Sequence, residues 1–301
     1  MQENRLKNYF HLHFIVFIWG FTAVLGALIS IDAMPLVWFR MLLGTLFLLI
    51  YILASNKSIW LDSRTLLKFL LGGIIIALHW ITFFLAIKTS NISIALVSLS
   101  TGAFFTSILE PIFFKRKLRF LELFLGIIVV VGLYIIFNVE GDYFLGIVYG
   151  LISSFLSALF SVINGLFVRK NEPVILSFFQ LFFGVLFITI VLLFKGDFSV
   201  EFFQLSKNDW LYLLLLSSIC TAYAFSASVK VMKVLSPYTV MLTINLEPVY
   251  GVILALMIFP EKEKMPVNFY FGALIILFAV ILNGILKNRK QLINRLRKKE
   301  I

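Results

Sequence analysis

The amino-acid sequence predicts an all-α polytopic membrane protein with ten transmembrane helices arranged as two inverted five-helix repeats. Of the 301 residues, 61% are hydrophobic and 14% are charged, whereas about a quarter of the residues in a soluble domain are charged. Ten apolar stretches each approach the ~20 residues that a helix needs to cross about 30 Å of hydrocarbon. Lys and Arg residues gather on one side of these stretches, a bias that sets the orientation of membrane proteins.

The predicted spans follow one another with short connections, so we expect no extramembrane domain. They cover residues 12–31, 35–54, 66–87, 92–114, 120–138, 144–167, 173–194, 209–229, 237–259 and 267–286. The single cysteine, Cys220, has no partner for an intramolecular disulfide, and the sequence lacks the Cys and His spacing of a metal site. We therefore expect neither a cofactor nor a bound metal.

The distribution of basic residues predicts a protein of the cell (inner) membrane with both termini in the cytoplasm. One of the 26 basic residues, Arg40, lies within a span, and twenty lie on the cytoplasmic side. The five on the outer side are Lys88, Lys195, Lys207, Lys262 and Lys264. The outer loops instead carry the acidic residues Asp32, Glu140, Asp142, Asp197, Glu201, Asp209, Glu261 and Glu263. The cytoplasmic bases, among them Arg116, Arg119, Lys298 and Lys299, predict anionic lipid headgroups as partners rather than nucleic acid.

Local similarities predict that the chain is an internal duplication. Arg40-x3-Gly44 in the second span matches Gln180-x3-Gly184 in the seventh, and residues 88–93 align with 233–238. Five spans per repeat is an odd number, so the second repeat enters the membrane from the opposite side, which places a substrate site near the midplane between the repeats. The predicted domains are a cytoplasmic tail at 1–10, repeats at 11–138 and 143–287, and a basic cytoplasmic tail at 288–301. The sequence leaves open whether two copies of the chain form a homodimer.

Two Leu-Glu-Pro triplets place an acid and a proline inside apolar spans. An acid in hydrocarbon is costly and indicates a functional site, and a proline bends the helix beside it. Glu247 lies about 15 Å into the ninth span, at the midplane, so we interpret it, with Asn245, as a ligand for a substrate amine or a protonatable coupling group. The alternative is a neutral acid that only packs. Glu110 lies about 27 Å along the fourth span, where a gate and a structural role are equally favoured.

Other polar and aromatic side chains within the spans are candidates for the pathway. His79 is either a packed residue or a proton relay, since histidine titrates near neutral pH. Arg40 either extends outward to the membrane surface or meets a substrate carboxylate at the outer mouth. Trp19, Tyr223, Thr101 and Asn164 either line the cavity or pack against neighbouring helices and lipid.

Several short motifs resemble those of EamA-type members of the drug/metabolite transporter superfamily. They are Trp19-Gly20, Pro35-x4-Arg40-x3-Gly44, Ala86-Ile87-Lys88-Thr89-Ser90 followed by Ser93-Ile94-Ala95-Leu96, Leu246-Glu247-Pro248-Val249, and Phe259-x-Glu261. The resemblance covers nearly all of 10–288. It implies a central cavity lined by spans 1, 3, 4, 6, 8 and 9, buttressed by spans 5 and 10. This chain departs from the family at Gly102-Ala103, where a proline is common, and at Pro260-Glu261, where Gly-Glu is common.

The predicted function is therefore a secondary transporter that moves a small metabolite by alternating access. An amino acid or a related polar or amphipathic compound is the expected substrate. The resemblance favours export over uptake, and Glu247 makes proton coupling an option. The alternatives are an intramembrane enzyme or a lipid translocator that uses Glu110 and Glu247. No His-Glu-x-x-His or Gly-x-Ser-x-Gly motif supports an enzyme, and the lack of an extramembrane domain argues against a scaffold or sensor.

Overall fold

The computed structural model describes residues 2–115, 117, 120–139 and 143–297, which are helical throughout apart from short connections. The α-helices are α1 Gln2–Leu28, α2 Ala33–Ala54, α3 Ser63–Thr89, α4 Ile92–Leu99, α5 Gly102–Phe113, α6 Phe120–Val139, α7 Phe144–Phe167, α8 Pro173–Lys195, α9 Lys207–Leu215, α10 Ala224–Val231, α11 Pro237–Ile244, α12 Glu247–Ile258, α13 Pro260–Glu263 and α14 Val267–Arg297. A 3₁₀ turn occupies Glu201–Phe203, and a π-helix, Leu216–Tyr223, joins α9 to α10.

Eight helices or collinear helix pairs in the described residues are long and apolar enough to cross a membrane. They are Leu6–Leu28, Ala33–Ala54, Ser63–Thr89, Ile92–Phe113, Phe144–Phe167, Pro173–Lys195, Lys207–Val231 and Pro237–Ile258. The predicted fifth and tenth spans fall on α6 and α14, whose described apolar stretches, Phe124–Ile136 and Val267–Ala279, are shorter. The chain is thus a polytopic integral membrane protein, and the total of ten spans stays a prediction.

The fourth and ninth spans are each broken into two half-helices. The first break lies at Ser100–Thr101, between α4 and α5, and the second at Asn245–Leu246, between α11 and α12. At both, the amide at the second position bonds a carbonyl three residues earlier: Thr101 N donates to Ser98 O at 3.3 Å and Leu246 N to Thr243 O at 3.0 Å. The two breaks are 145 residues apart, the spacing by which the sequence aligns the two halves.

Different residues produce the two breaks. Pro248, which has no amide proton, is the second residue of α12 and suits the first turn of a helix. The break before α5 has no proline. There the hydroxyls of Ser100 and Thr101 donate to the carbonyls of Val97 and Ser98 at 2.6 and 2.7 Å, competing with backbone amides for those acceptors. Pro111 lies within α5 and does not end it, so the bend expected at this proline stays a prediction.

The main core is formed by α3 packed between α7 and α8, with α2 on α8 and α1 on α12. Glycines permit the last contact: a Cβ at Gly20 would lie 2.7 Å from Tyr250 Cβ, and one at Gly251 would lie 3.3 Å from Gly20 O. A second, smaller core is formed where α6 and α14 pack against each other beside α4 and α5. These two helices therefore lie against the bundle rather than at its centre.

Two buried carboxylates connect the halves at the predicted outer side. Asp209 accepts hydrogen bonds from the amide and hydroxyl of Ser30 at 2.6 and 2.7 Å. Glu263 accepts from the amides of Ile92 and Ser93 at 2.9 and 2.8 Å and from the Ser93 hydroxyl at 2.8 Å. Glu263 thereby caps the amino end of α4, where a negative charge is stabilising. At the predicted cytoplasmic side, Lys57 pairs with Glu172 between two loops.

The predicted terminal tails are helical where the structure describes them. Residues 2–10 and 288–297 continue α1 and α14, and their cytoplasmic location stays a prediction. Glu140, Asp142, Arg116, Arg119, Lys298 and Lys299 lie outside the described residues.

Candidate functional site

A cavity enclosing about 640 Å³ of non-protein space, part of it open to solvent, lies among the helices of the main core. Side chains from the first, second, third, fourth, sixth, eighth and ninth spans line it, and no described residue of α6 or α14 does. Small-molecule sites combine apolar walls with a few polar groups, as the lining of this cavity does. The polar groups that matter here are Glu247, Arg40 and His79.

Glu247 is the first residue of α12 and reaches the cavity directly from the break in the ninth span. Its side chain is 6% exposed, and its carboxylate makes no hydrogen bond or ion pair to another residue in the described part of the chain. The amino end of a helix carries a partial positive charge, which favours an anion at this position. The carboxylate is therefore held at the cavity by the helix start, with its oxygens left for another partner.

Arg40 reaches the same cavity from α2 and is 2% exposed. The Nε atom donates to Thr221 Oγ1 at 2.7 Å, and the guanidinium carbon lies 3.9 Å from the ring centroid of Trp80. Stacking on an aromatic face stabilises a guanidinium group. The buried Nη1 has no hydrogen-bond partner among the described residues. The expectation that Arg40 extends outward to the membrane surface is wrong, because Trp80 and Thr221 hold it inside.

His79 contributes a hydrogen-bond acceptor to the cavity. Its Nδ1 lies 2.9 Å from the carbonyl oxygen of Ser153 and 2.8 Å from the Ser153 hydroxyl. A carbonyl oxygen only accepts, so Nδ1 must carry a proton. In the neutral ring the other nitrogen, Nε2, is then unprotonated and accepts hydrogen bonds. The Ser153 hydroxyl also donates to the His79 carbonyl at 3.0 Å, which fixes the orientation of α3 against α7.

Aromatic rings form the apolar wall of the cavity. Phe225 stacks on Phe160 with centroids 5.4 Å apart and meets Trp80 edge-on at 5.6 Å. Trp19 also lines the cavity, and its indole Nε1 donates a hydrogen bond to the Cys220 carbonyl at 3.0 Å. The indole N–H is therefore occupied, and the ring faces are the part of Trp19 that can contact a ligand. The wall is therefore apolar and rigid, and it adjoins the charged groups.

Arg40 and Glu247 both line the cavity. No nitrogen–oxygen distance between these two side chains is within 4.0 Å, so they do not form an ion pair. Two buried groups of opposite charge therefore line one cavity without forming an ion pair with each other. No group of three or more His, Cys, Asp or Glu side chains suited to a metal ion occurs among the described residues.

Sequence profiles identify the kind of protein to which this cavity belongs. The profile of the EamA-like transporter family matches residues 8–138 and again residues 144–285. The chain belongs to the EamA-like transporter family. It is thus a membrane transporter, and the family profile matches each half separately.

Two further comparisons agree with this assignment. An uncharacterized transporter of Clostridium kluyveri is 25% identical over 206 residues, covering 66% of this chain and 65% of that protein. This EamA-like transporter therefore aligns with about two thirds of the length of that relative. A solved crystal structure superposes with a TM-score of 0.66 at 14% identity, covering 92% of this chain and 96% of the other. At that identity the likeness shows the fold alone.

The structure of this EamA-like transporter brings four of the predicted site residues together around the cavity: Glu247, His79, Trp19 and Arg40. The family resemblance assigns no lining role to the second span, which contributes Arg40. Thr101 and Asn164 are buried elsewhere. Thr101 donates to Ser154 Oγ at 2.9 Å, and Asn164 exchanges two hydrogen bonds with Gln180 at 2.7 and 3.2 Å.

Three other predicted residues also lie outside the cavity lining. Tyr223 is 44% exposed and bonds His11 Nε2 through its hydroxyl at 3.0 Å. Asn245 is buried in the break before Glu247, where its side-chain nitrogen has no partner among the described residues. Glu110 is buried within α5, one residue before Pro111. The two Leu-Glu-Pro triplets therefore occupy different environments.

Sequence reasoning missed three residues that shape the site. Ser153 orients His79, Thr221 holds Arg40, and Glu263 caps α4. Ser153 and Thr221 lie in spans that are rich in small and hydroxyl residues, a pattern equally typical of helix packing. Glu263 follows two residues after Glu261, to which the family motif had drawn attention, and Glu261 is exposed. Only contacts between distant segments distinguish these residues from their neighbours.

Proposed function

We propose that this EamA-like transporter is a secondary transporter for a small metabolite that carries an amine and a carboxylate, such as an amino acid or a related compound. The observation that supports this most is the burial of Arg40 and Glu247 in one cavity without an ion pair between them. A zwitterion presents the complementary pair of charges. The adjoining aromatic wall suits an apolar side chain.

Each polar group has a distinct role in this proposal. Arg40 receives the carboxylate, since a guanidinium binds a carboxylate through two parallel hydrogen bonds. Glu247 receives the ammonium group and, when substrate is absent, takes up the coupling proton. His79 Nε2 accepts a second hydrogen bond from the ammonium group. Trp19 and the wall formed by Trp80, Phe160 and Phe225 enclose the side chain of the substrate.

The proposed transport cycle is alternating access between two inverted five-helix repeats, residues 11–138 and 143–287, in ten spans. The matching breaks in the fourth and ninth spans and the separate family match to each half support this arrangement. In transporters built this way, broken helices carry the substrate site at the repeat interface. Asp209 and Glu263 close the predicted outer side, whereas the cavity extends to Met232 and Met241 near the predicted cytoplasmic ends of their helices.

We propose further that the protein lies in the inner membrane with both termini in the cytoplasm and that it exports its substrate. The charge bias of the loops supports the orientation. The resemblance to EamA-type transporters supports export over uptake. The cytoplasmic bases are proposed to contact anionic lipid headgroups.

An untargeted comparison of metabolites inside and outside cells, with and without the gene, tests the substrate class. We expect compounds with both an amine and a carboxylate to accumulate outside when the wild-type protein is present. The Glu247→Gln variant should abolish this change, and the Glu110→Gln variant should preserve it. Scrambling of labelled lipid with no change in any metabolite would instead favour the lipid-translocator alternative and overturn the proposal.

A further inference from the structure

The eighth span contains a π-helix, Leu216–Tyr223, at the point where it passes Arg40 and Trp19. We infer that Thr221, carried on this segment, is the positioning residue that turns the Arg40 guanidinium toward the cavity. On this inference, Thr221 gives the transporter its preference for substrates with an anionic group. The inference rests on the proposed function for the identity of the substrate, and it adds a residue outside the cavity lining to that function.

The hydrogen bonds of Thr221 fix its orientation. Its hydroxyl donates to the carbonyl of Leu216 at 2.8 Å, so the oxygen presents lone pairs to Arg40 Nε, which lies 2.7 Å away. Thr221 is fully buried, and a Cβ added at Gly44 would lie only 2.9 Å from its Cγ2 atom. Gly44 is one helical turn after Arg40 on α2. The same face of α2 therefore encloses the Thr221 side chain and supplies the arginine that it holds.

The π-helical backbone brings Cys220 and Thr221 to this position. The amide of Ala224 bonds the carbonyls of Ile219 and Thr221, so it does not take the Cys220 carbonyl as in a regular α-helix. The Cys220 carbonyl instead accepts the indole N–H of Trp19. Consecutive residues of one irregular segment thus anchor two side chains of the cavity, and π-helical turns occur frequently at functional sites.

The contact determines which guanidinium atoms are available. Arg40 has five N–H donors. The Nε–H is used by Thr221, the plane of the group lies against Trp80, and the buried Nη1 has no partner among the described residues. A guanidinium fixed at Nε and at one face presents its terminal nitrogens as a pair, which is the geometry that recognises a carboxylate. Without the Thr221 oxygen, the group is free to turn toward Glu247.

Replacement of Thr221 by valine, serine or alanine tests the inference in proteoliposomes. The probes are leucine and leucinamide, which differ by the carboxylate. For Thr221→Val we expect the KM for leucine to rise about tenfold or more, because a hydrogen bond to a charged group is lost. The KM for leucinamide should change by less than about threefold. Thr221→Ser should retain the preference, and Thr221→Ala should resemble valine. The control is Thr45→Val, since among the described residues the Thr45 hydroxyl bonds only the Met41 carbonyl.

Equal losses for both probes, or a serine variant as impaired as the valine variant, would overturn the inference while leaving the proposed function intact. If the wild type transports neither probe, the proposed function fails, and a ligand-independent measurement still decides the inference. Thr221→Val should lower the unfolding midpoint of the otherwise wild-type protein more than that of an Arg40→Met protein, because in the second background only the Thr221 bond to the Leu216 carbonyl is left to lose. Additive midpoint shifts would show that Thr221 does not hold Arg40.

Discussion

The two half-helix junctions have the same backbone arrangement, but the residues that begin the following helices differ in charge and in surroundings. Both break a span with a short turn, both are followed by a new helix, and they lie 145 residues apart. The first residue of α5 is Gly102, where a Cβ would lie 2.7 Å from Met241 Cε. The first residue of α12 is Glu247, which faces the cavity. One junction therefore packs against its neighbours, and the other presents a charge.

The second and seventh spans show the same contrast. Arg40 and Gln180 begin matching motifs, yet Arg40 lines the cavity while Gln180 pairs with Asn164 inside the helix bundle. The comparison teaches that a repeated framework sets the positions and that residue identity assigns them to binding or to packing. Variants that exchange these roles test this account.

The largest effect is expected for Glu247→Gln, which keeps the shape of the side chain and removes its charge. Leaving a buried charged partner unmatched costs about 2 kcal/mol or more, which corresponds to a loss of roughly thirtyfold or more in initial transport rate at low substrate. The matched control is Glu110→Gln, a buried acid in the other Leu-Glu-Pro triplet. Equal impairment of both variants, measured with labelled amino acid in proteoliposomes, would contradict the assignment of the site to one triplet.

The next effect is expected for Arg40→Gln, which gives the second span the residue that the seventh has. The KM for substrates with a carboxylate should rise by about tenfold to a hundredfold, because glutamine offers no bidentate charged contact. Arg40→Lys should fall between this variant and the wild type, since lysine keeps the charge without the planar geometry. An Arg40→Gln protein with an unchanged KM would show that Arg40 is structural.

The counterpart, Gln180→Leu, should affect stability instead of substrate preference. The Asn164 amide would be left buried without a partner, which costs about 1–3 kcal/mol. We expect a lower unfolding midpoint, read by thermal denaturation in detergent, with the ratio of leucine to leucinamide transport unchanged. A changed ratio would place the seventh span in the site and weaken the contrast with Arg40.

A smaller effect is expected at the outer closure. Glu263→Gln removes the charge that caps α4, worth about 1 kcal/mol, and this should shift the population toward outward opening by roughly fivefold. A cysteine introduced at Thr22 in the cavity should then react faster with a membrane-impermeant thiol reagent added outside. Glu261→Gln, two residues earlier and exposed, is the control. Identical labelling rates in the two variants would rule out Glu263 as part of the closure.

The smallest effect is expected for Lys57→Met, which removes the ion pair with Glu172 between two loops on the predicted cytoplasmic side. The hydrogen bond that Lys57 donates to the Glu172 carboxylate raises the pKa of Lys57 above its ordinary value, so the pair stabilises the folded state at neutral pH and its contribution is lost as pH rises through that pKa. Both side chains are partly exposed, so we expect a loss well below about 1 kcal/mol. Thermal denaturation at neutral and alkaline pH checks this, with Lys195→Met as control.

The positions of the eight spans that the described residues contain could be predicted from the sequence, because hydropathy reports the environment of a whole segment. The local similarity of residues 88–93 to 233–238 aligns the halves with an offset of 145, which sets Glu247 opposite Gly102. The structure likewise places Glu247 at the cavity and Glu110 within α5. The break at Ser100–Thr101 escaped prediction because two hydroxyls, rather than a proline, compete for the helical carbonyls there.

The composition of the site could be predicted only in part, because side-chain partners come from distant segments. Arg40 lies near the outer end of its span, and only Trp80 and Thr221 turn it inward. Tyr223 has the residue type of a cavity aromatic but lies on the outer surface of the bundle beside His11. Neither outcome is encoded in the local pattern around the residue.

The most direct test of the central claim is exchange transport in proteoliposomes. Vesicles loaded with an unlabelled mixture of amino acids receive a trace of labelled leucine outside, and accumulation of label is followed for the wild type, Glu247→Gln and Glu110→Gln. The account predicts accumulation by the wild type and by Glu110→Gln, and none by Glu247→Gln. Accumulation that persists in Glu247→Gln, or no accumulation by the wild type with any amine-and-carboxylate compound, would contradict it.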